Sequence, residues 1–309
     1  MSRIYDLIKV ALAPAGSRLI VVILSNLRIP MSHHGKHQVD ICVKYSSRGA
    51  HHLDLEGYPN MRLSLLGTPV DALSMDETLS RIEDAICSRR RLHHVAMNVA
   101  KLVKMRQDPD LRIDVEKADL IGIDGMGIVA AARVLRLPVT QRVAGIDLMY
   151  AVLELCSREG YRPYILGAKR DVLDAAIENA QRMWPGLRLA GSCDGYFSAK
   201  DEDAVVDGIR QSKADCLFIA MPTPRKERLI ARYRDDFGVP FVMGVGGSID
   251  VLAGHVKRAP PIWQRFGLEW LYRVYQEPSR MWWRYFSTNA VFGLLLARAL
   301  VGQRLGLRQ

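Results

Sequence analysis

The chain has 309 residues, 49% of them hydrophobic and 25% charged. That suffices for one large core, or one core with an appendage, and it excludes a disordered, collagenous or coiled-coil protein. The net charge of +10 suits nucleic acid, anionic lipid or a phosphorylated substrate, so its distribution has to decide.

Five cysteines (Cys42, Cys87, Cys156, Cys193 and Cys216) are scattered, odd in number and without a C-x-x-C pair. They argue against a disulfide framework and a zinc site, and fit small buried hydrophobes in a reducing compartment. No run approaches the roughly 18–20 apolar residues of a membrane helix. Residues 19–24 are too few, and residues 290–301 are short and contain Arg298. The expectation is a protein that lies on a membrane without crossing it.

In chain order, residues 1–60 carry His33-His34, His51-His52 and Lys/Ser/Gly-rich stretches without sustained periodicity. They read as a poorly ordered extension, with Met61 as the functional start; the His pairs lack the Cys or acidic neighbours of a metal site. From Met61 short apolar runs alternate with helical spacing. Strands are expected at 62–66, 94–97, 118–123, 162–166, 187–190, 216–220 and 240–243, and helices at 76–89, after Asn98 to Arg106, and at 171–183. Alternation of this kind predicts an α/β fold: a Rossmann-like, mostly parallel sheet with helices on both faces. The α/β core is placed at 61–254. Residues 255–309 form a helical appendage with nine Lys/Arg against two Glu, seven of the chain's ten net positive charges, and four of its five Trp. Basic residues interleaved with Trp and Tyr suit an anionic membrane interface or a single-stranded nucleic acid.

Ligands of an open parallel sheet bind beyond the carboxyl ends of its strands. Asn98 follows one strand and can orient a carboxylate or serve as a helix cap. Asp124-Gly125 follows another, where Asp124 is either a helix cap or a general base. Arg142 and Asp147 come soon after and offer a phosphate contact and a hydroxyl acceptor. Met221-Pro-Thr-Pro-Arg-Lys-Glu227 puts Lys226 and Glu227 at a helix start, a place for diphosphate. Met243-Gly-Val-Gly-Gly-Ser248 offers backbone N–H groups to an anion. No P-loop, G-x-S-x-G or H-E-x-x-H motif is present.

Together these segments resemble the WecG/TagA/CpsF family of glycosyltransferases (family 26), from about Met61 to Tyr285. The resemblance is carried by Gly244-Val-Gly-Gly-Ser-Ile-Asp250, Ala253-Gly254, Lys257-Arg-Ala-Pro260, Gly267-Leu-Glu-Trp270, Glu277-Pro278 and Arg280, with Asp124-Gly125 and Arg142-Val-Ala-Gly145. It implies an inverting transfer from a UDP-sugar to a sugar on a polyprenyl diphosphate, in the assembly of surface polysaccharide. The donor sugar is an N-acetylhexosamine, its uronic acid or a hexose. Asp124 falls on the family's proposed base and Arg142 on an active-site arginine, with Asn98 beside them. The donor set is Gly125, Gly145, Asp147, Gly167, Pro224, Lys226, Glu227, Gly246 and Gly247; Arg258, Arg265, Arg273 and Arg280 meet the acceptor diphosphate or the membrane. Expected partners are the UDP-sugar, the lipid-linked acceptor, an anionic membrane surface and other polysaccharide-assembly enzymes, with no nucleic acid. No cofactor is expected, because no D-x-D stands at a strand end. The protein is placed at the inner face of the plasma membrane.

Two departures bear on the donor. Ala96-Met97-Asn98 stands where the family often has Thr-x-Asn, and Pro224-Arg-Lys226-Glu227 where it often has Pro-x-Gln-Glu. A nucleotide-dependent oxidoreductase or epimerase is the first alternative; it needs G-x-G-x-x-G after the first strand, where Leu66-Gly-Thr-Pro-Val-Asp71 stands. A non-enzymatic RNA- or membrane-binding module is the second.

Overall fold

A computed structural model describes residues 43–45, 51–53, 62–139 and 141–305. The chain divides into two compact units, Met1–Asn60 and Met61–Gln309. In the first, β1 (Val43–Tyr45) and β2 (His51–Leu53) pair antiparallel. This short ribbon, which contains His51-His52, was not legible as a strand pattern. Residues 19–24 and His33-His34 lie outside the described residues.

The second unit begins with a hairpin, β3 (Arg62–Leu65) and β4 (Thr68–Asp71). Its two-residue turn puts both Leu66 (φ 51°) and Gly67 (φ 69°) in the left-handed region, as the twist of a tight hairpin requires. Then come α1 (Met75–Cys87), β5 (Leu92–Met97), α2 (Val99–Gln107), α3 (Pro109–Glu116), β6 (Leu120–Ile123), α4 (Met126–Val134), α5 (Gly145–Glu159) and β7 (Pro163–Gly167). They are followed by α6 (Arg170–Met183), β8 (Gly191–Cys193), α7 (Glu202–Ser212), β9 (Cys216–Ala220), α8 (Arg225–Tyr233), β10 (Phe241–Gly244) and α9 (Ser248–Leu252). The appendage is α10 (Pro261–Arg265), α11 (Glu269–Gln276) and α12 (Pro278–Arg304).

The sheet runs β3-β4-β6-β5-β10-β9-β7-β8 and is parallel throughout except for the β3–β4 hairpin. The step from β5 to β6 runs toward one edge. The step from β6 to β7 runs back past β5, β10 and β9 toward the other. A reversal of this kind opens a crevice at the carboxyl ends of the central strands.

Period-2 alternation builds the two layers of core. Ile165, Phe218, Phe241 and Met243 pack with α1, α5, α6 and α9, whereas Leu166, Leu217, Ile219 and Val242 pack with α7 and α8. Strands covered on both faces lose the apolar–polar alternation, and β7 and β9 are buried at every residue. The helix starts are local chemistry. Ser74 and Glu77 form a reciprocal capping box on α1, and Asn98 caps α2.

Three expectations need correction. The strand expected at 187–190 is β8 at Gly191–Cys193. Leu187 is buried because it packs into the α5–α6 layer, while ladder pairing with β7 begins at Gly191. Cys87 is exposed, at the end of α1 with its thiol 3.0 Å from the Tyr161 hydroxyl; Cys156 and Cys216 are buried, Cys193 is half-buried, and Cys42 lies outside the described residues. Finally, Tyr285–Gln303 of α12 is a 19-residue stretch of mean hydropathy 1.3, long and apolar enough by length and composition to cross a membrane. Counting uninterrupted apolar residues missed it, because its polar residues are mostly uncharged and Arg298 is its one charge. Phe292, Leu295, Leu296, Ala299 and Leu300 of this helix pack on the core beside α2, a spacing that makes one helical stripe.

His93 and His94 are buried in the middle of β5. Both ring nitrogens of His94 and Nε2 of His93 lack partners. Burial pushes both imidazoles down to about 3, so they are held neutral. Unfolded, each binds a proton near pH 6.5, so between there and about 3 the unfolded chain carries more protons. Their contribution is complete above that upper bound and falls as the pH drops, each by about 1.4 kcal/mol per pH unit. Urea unfolding at pH 7.5, 6.5 and 5.5 should show a marked loss of stability at the lowest value, before carboxylates titrate. A flat profile would contradict neutral burial.

Candidate active site

The carboxyl ends of β5, β6, β9 and β10 open into one cleft of about 1810 Å³. Nine Lys/Arg and four Asp/Glu line it, leaving five positive charges in excess. Such a wall focuses a field that attracts anions.

Asp124 follows β6 directly, and its backbone N–H bonds Met97 O at 2.9 Å, which fixes it beside the end of β5. It does not cap α4, whose N-cap is Gly125 with no side-chain hydrogen bond. Its Oδ1 instead accepts the N–H of Gly145, the first residue of α5, at 2.8 Å. Burial raises the carboxyl above the ordinary aspartate value; the Gly145 N–H, Arg142 and Asn98 oppose that rise and Glu269 adds to it. The result is a carboxylate more basic than a surface one, as a proton acceptor requires. Asn98 has two jobs: its Oδ1 accepts the Lys101 N–H at 3.0 Å as the cap of α2, and its side chain opposes the rise in the Asp124 carboxyl.

Arg142 sits in the loop before α5, where the Val143 N–H bonds Ile123 O at 2.7 Å. Its guanidinium makes two bonds, 2.6 and 3.1 Å, to Glu269 of α11. The appendage thus clamps the core beside Asp124. Arg258 pairs with Asp147 at 2.6 Å, and Gly267 (φ +70°) crosses so close to Met126 that a Cβ there would lie 2.7 Å from Met126 Cβ. Any side chain at 267 would push the appendage off the Asp124-Gly125 loop.

Residues 63–306 match the model of the Glycosyl transferase WecG/TagA/CpsF family. The chain belongs to this family. It is 38% identical over 178 residues to an N-acetylglucosaminyldiphosphoundecaprenol N-acetyl-beta-D-mannosaminyltransferase of Bacillus spizizenii, a match covering 58% of this chain and 68% of that protein. The protein is a glycosyltransferase, and the oxidoreductase alternative has no place for its phosphate loop, since β3 turns into a hairpin rather than a helix.

Of the residues singled out in the sequence, the glycosyltransferase brings Asn98, Asp124, Gly125, Arg142, Gly145, Lys226, Gly246, Gly247, Arg258 and Arg273 to the cleft wall. Asp147, Gly167, Pro224, Glu227 and Arg265 are not on that wall. Asp147 lies behind Arg258 as its counter-ion. Gly167 (φ +119°) is where β7 presses on β9, with a Cβ position 2.5 Å from Ala220 O; the neighbouring Ala168 and Lys169 reach the cleft instead. Pro224 begins α8 after a cis bond while Thr223 and Arg225 line the wall. Glu227 is buried beneath Lys101 and Lys226. Arg265 is exposed in the last turn of α10. Arg280 is in the first turn of α12, and its side chain lies outside the described residues.

Sequence reasoning missed Lys101, Lys104 and the role of Glu269. The lysines had a signal, since Lys101 and Lys104, three and six residues after the strand-end Asn98, are an i, i+3 pair on one face of the helix that Asn98 caps. Glu269 had none, because its partner lies 127 residues away.

Replacing Glu269 by Gln should weaken the clamp by about 1–2 kcal/mol, as expected for one half-buried charged pair. Trypsin should then cut sooner at Lys257, Arg258 or Arg265, with the melting temperature of the α/β unit little changed. Unaltered cleavage kinetics would mean that the pair does not hold the appendage.

Proposed function

We propose that this glycosyltransferase moves a sugar from a UDP-sugar to the sugar of a polyprenyl-diphosphate acceptor, with inversion, at an anionic membrane surface during bacterial polysaccharide assembly. The observation that carries this reading is the proton-accepting carboxylate of Asp124 on the wall of a strongly cationic cleft. Asp124 takes the proton of the acceptor hydroxyl. The oxygen attacks the anomeric carbon from the face opposite UDP, and the bond to the diphosphate breaks with its electrons going to UDP. Cations of the cleft stabilise the negative charge that develops on the leaving group. The Bacillus spizizenii relative's name describes a lipid-diphosphate acceptor and an N-acetylhexosamine, which supports the acceptor class and one of the donor choices. Among the described residues no group of three or more His, Cys, Asp or Glu gathers as a metal site.

Membrane association is supported by the appendage. Trp263 and Trp270 pack against Tyr272 and Tyr285. Trp282 and Trp283 stack on Phe286 and are 56% and 70% exposed, with Ile262, Phe266 and Leu294 exposed as well. Amphipathic aromatic residues beside Arg belong to a headgroup layer. In this reading the side of α12 opposite its core stripe faces the membrane, at the cytoplasmic leaflet where a UDP-sugar is available.

Asp124→Asn should lower transfer about 10²–10⁴-fold, the usual worth of a general base, while UDP binding measured by calorimetry stays within a few-fold. Normal turnover by this variant would reduce Asp124 to a tether for α5.

For the membrane, deletion of 255–309 is a poor test, since it strips Phe292 and Ala299 from the core. Joint replacement of Trp282, Trp283 and Phe286 by Ser keeps that stripe. Co-sedimentation with vesicles containing phosphatidylglycerol should drop at least several-fold, with UDP binding intact, because each removed ring withdraws apolar area from the interface. Equal sedimentation of variant and parent would remove the membrane role from this face.

A further inference from the structure

Three lysines of the cleft gather around Glu227 and Thr223, two of them on the carboxylate and the third on the Thr223 carbonyl. Lys101 and Lys104 lie one turn apart on α2, in its first and last turns, and Lys226 is in the first turn of α8. Glu227 Oε1 receives Lys101 Nζ at 2.9 Å, Lys226 Nζ at 3.0 Å and the Thr223 hydroxyl at 3.0 Å. Lys226 Nζ also donates to Thr223 Oγ1 at 2.6 Å, and Lys104 Nζ to Thr223 O at 2.8 Å. Lys101, Lys104, Lys226 and Thr223 line the cleft; Glu227 lies behind them. The carboxylate holds the amines from the protein side and leaves their positive charge toward the ligand side.

The balance is uneven. Two ammonium groups share the Glu227 carboxylate, the third, Lys104, is held by a backbone carbonyl alone, and among the described residues no second carboxylate is bonded to any of them. Lys101 and Lys226 are each only 9% exposed. Buried cations in excess of their counter-ions are costly. Burial first, then the like charge of Lys101, brings the Lys226 amine down to about 8 against the pull of Glu227. Its position is fixed as well, because its stem crosses Gly244 so closely that a Cβ there would lie 2.8 Å from Lys226 Cε. The set shares the cleft wall with the proposed base and with Asn98, whose Oδ1 accepts the Lys101 N–H.

We propose that Lys101, Lys104 and Lys226 form a pre-organised anion subsite of the donor, taking the oxygens of a phosphate or of a carboxylate on the transferred sugar, with Glu227 as a positioning residue. The proposal rests on the UDP-sugar reading for the identity of the donor. Lys226 becomes a determinant of specificity: an ammonium here favours an anionic group and gives a neutral sugar no matching charge.

The test is calorimetric titration of the full chain with inorganic diphosphate, UDP, UDP-N-acetylglucosamine and UDP-glucuronic acid, repeated for Lys226→Gln and Lys104→Gln. Loss of a charge-assisted hydrogen bond should weaken binding about ten- to hundredfold in Lys226→Gln, with a loss in the same direction in Lys104→Gln. If the phosphates are the source, all four ligands weaken together. If a sugar carboxylate is the source, UDP-glucuronic acid weakens while UDP holds. Lysine-dependent binding of diphosphate without binding of any uridine ligand supports the subsite and overturns the donor reading alone. Unchanged affinities in both variants, or no binding of any of the four by the parent chain, overturn the subsite. Should Lys226→Gln fail to fold, Lys104→Gln decides, because Lys104 is only half-buried and bonds a single backbone carbonyl.

Discussion

The hydrogen bond from Gly145 N–H to Asp124 ties together parts of the chain that would otherwise have no reason to stay in register. It joins the end of β6 to the start of α5, which carries the chain across to the far half of the sheet. α5 has no side-chain cap of its own, so the carboxylate satisfies one of its free amino-terminal N–H groups. The same bond steadies Asp124 in a setting that raises its proton affinity. With Asp124 as the proposed base, the group serves both structure and chemistry: an amide could keep the hydrogen bond and lose the proposed proton transfer, whereas an apolar residue would lose both.

The appendage meets that same neighbourhood by three different means. Arg142–Glu269 and Arg258–Asp147 are charged pairs of partial exposure, so solvent and salt moderate them. Gly267 over Met126 is a close approach that depends on shape alone. The stripe of α12 beside α2 is apolar burial. The last two are insensitive to ionic strength. An anionic surface competing for Arg258 would act on the first kind of contact while the third keeps the helix attached. This division lets the appendage adjust over the cleft without leaving the core.

The α/β alternation was legible in the sequence because strands buried on both faces read as solid apolar runs ended by glycine or polar residues, as at Cys216–Ala220 and Pro163–Gly167. Where burial and strand pairing part company, the pattern misleads: Leu187 is a core residue outside any ladder. Short elements with mixed residues left little trace, and β4, with Pro69 in it, is the example. At the site, strand-end position was enough to single out Asn98 and Asp124, whereas Arg142, in the loop before α5, was singled out by its place soon after Asp124 and by the family resemblance. It could not show that Asp124 reaches Gly145 rather than its own helix, nor that Glu227 belongs under the lysines instead of on the wall, because both depend on how neighbouring strands align.

The positive excess of the cleft also has a physical consequence for how the site fills. Lys101, Lys226 and Glu227 are buried by the fold itself, so an anion bound at the proposed subsite meets charges whose dehydration cost was met during folding. It finds donors at fixed positions rather than mobile surface lysines, which spares the rotamer entropy of ordering long side chains. The folded state carries the corresponding burden, since like charges at α2 and α8 repel until an anion sits between them. An occupied cleft is therefore the arrangement in which the junction of α2, α8 and the end of β10 is most stable, and ligand binding and the rigidity of that junction rise together.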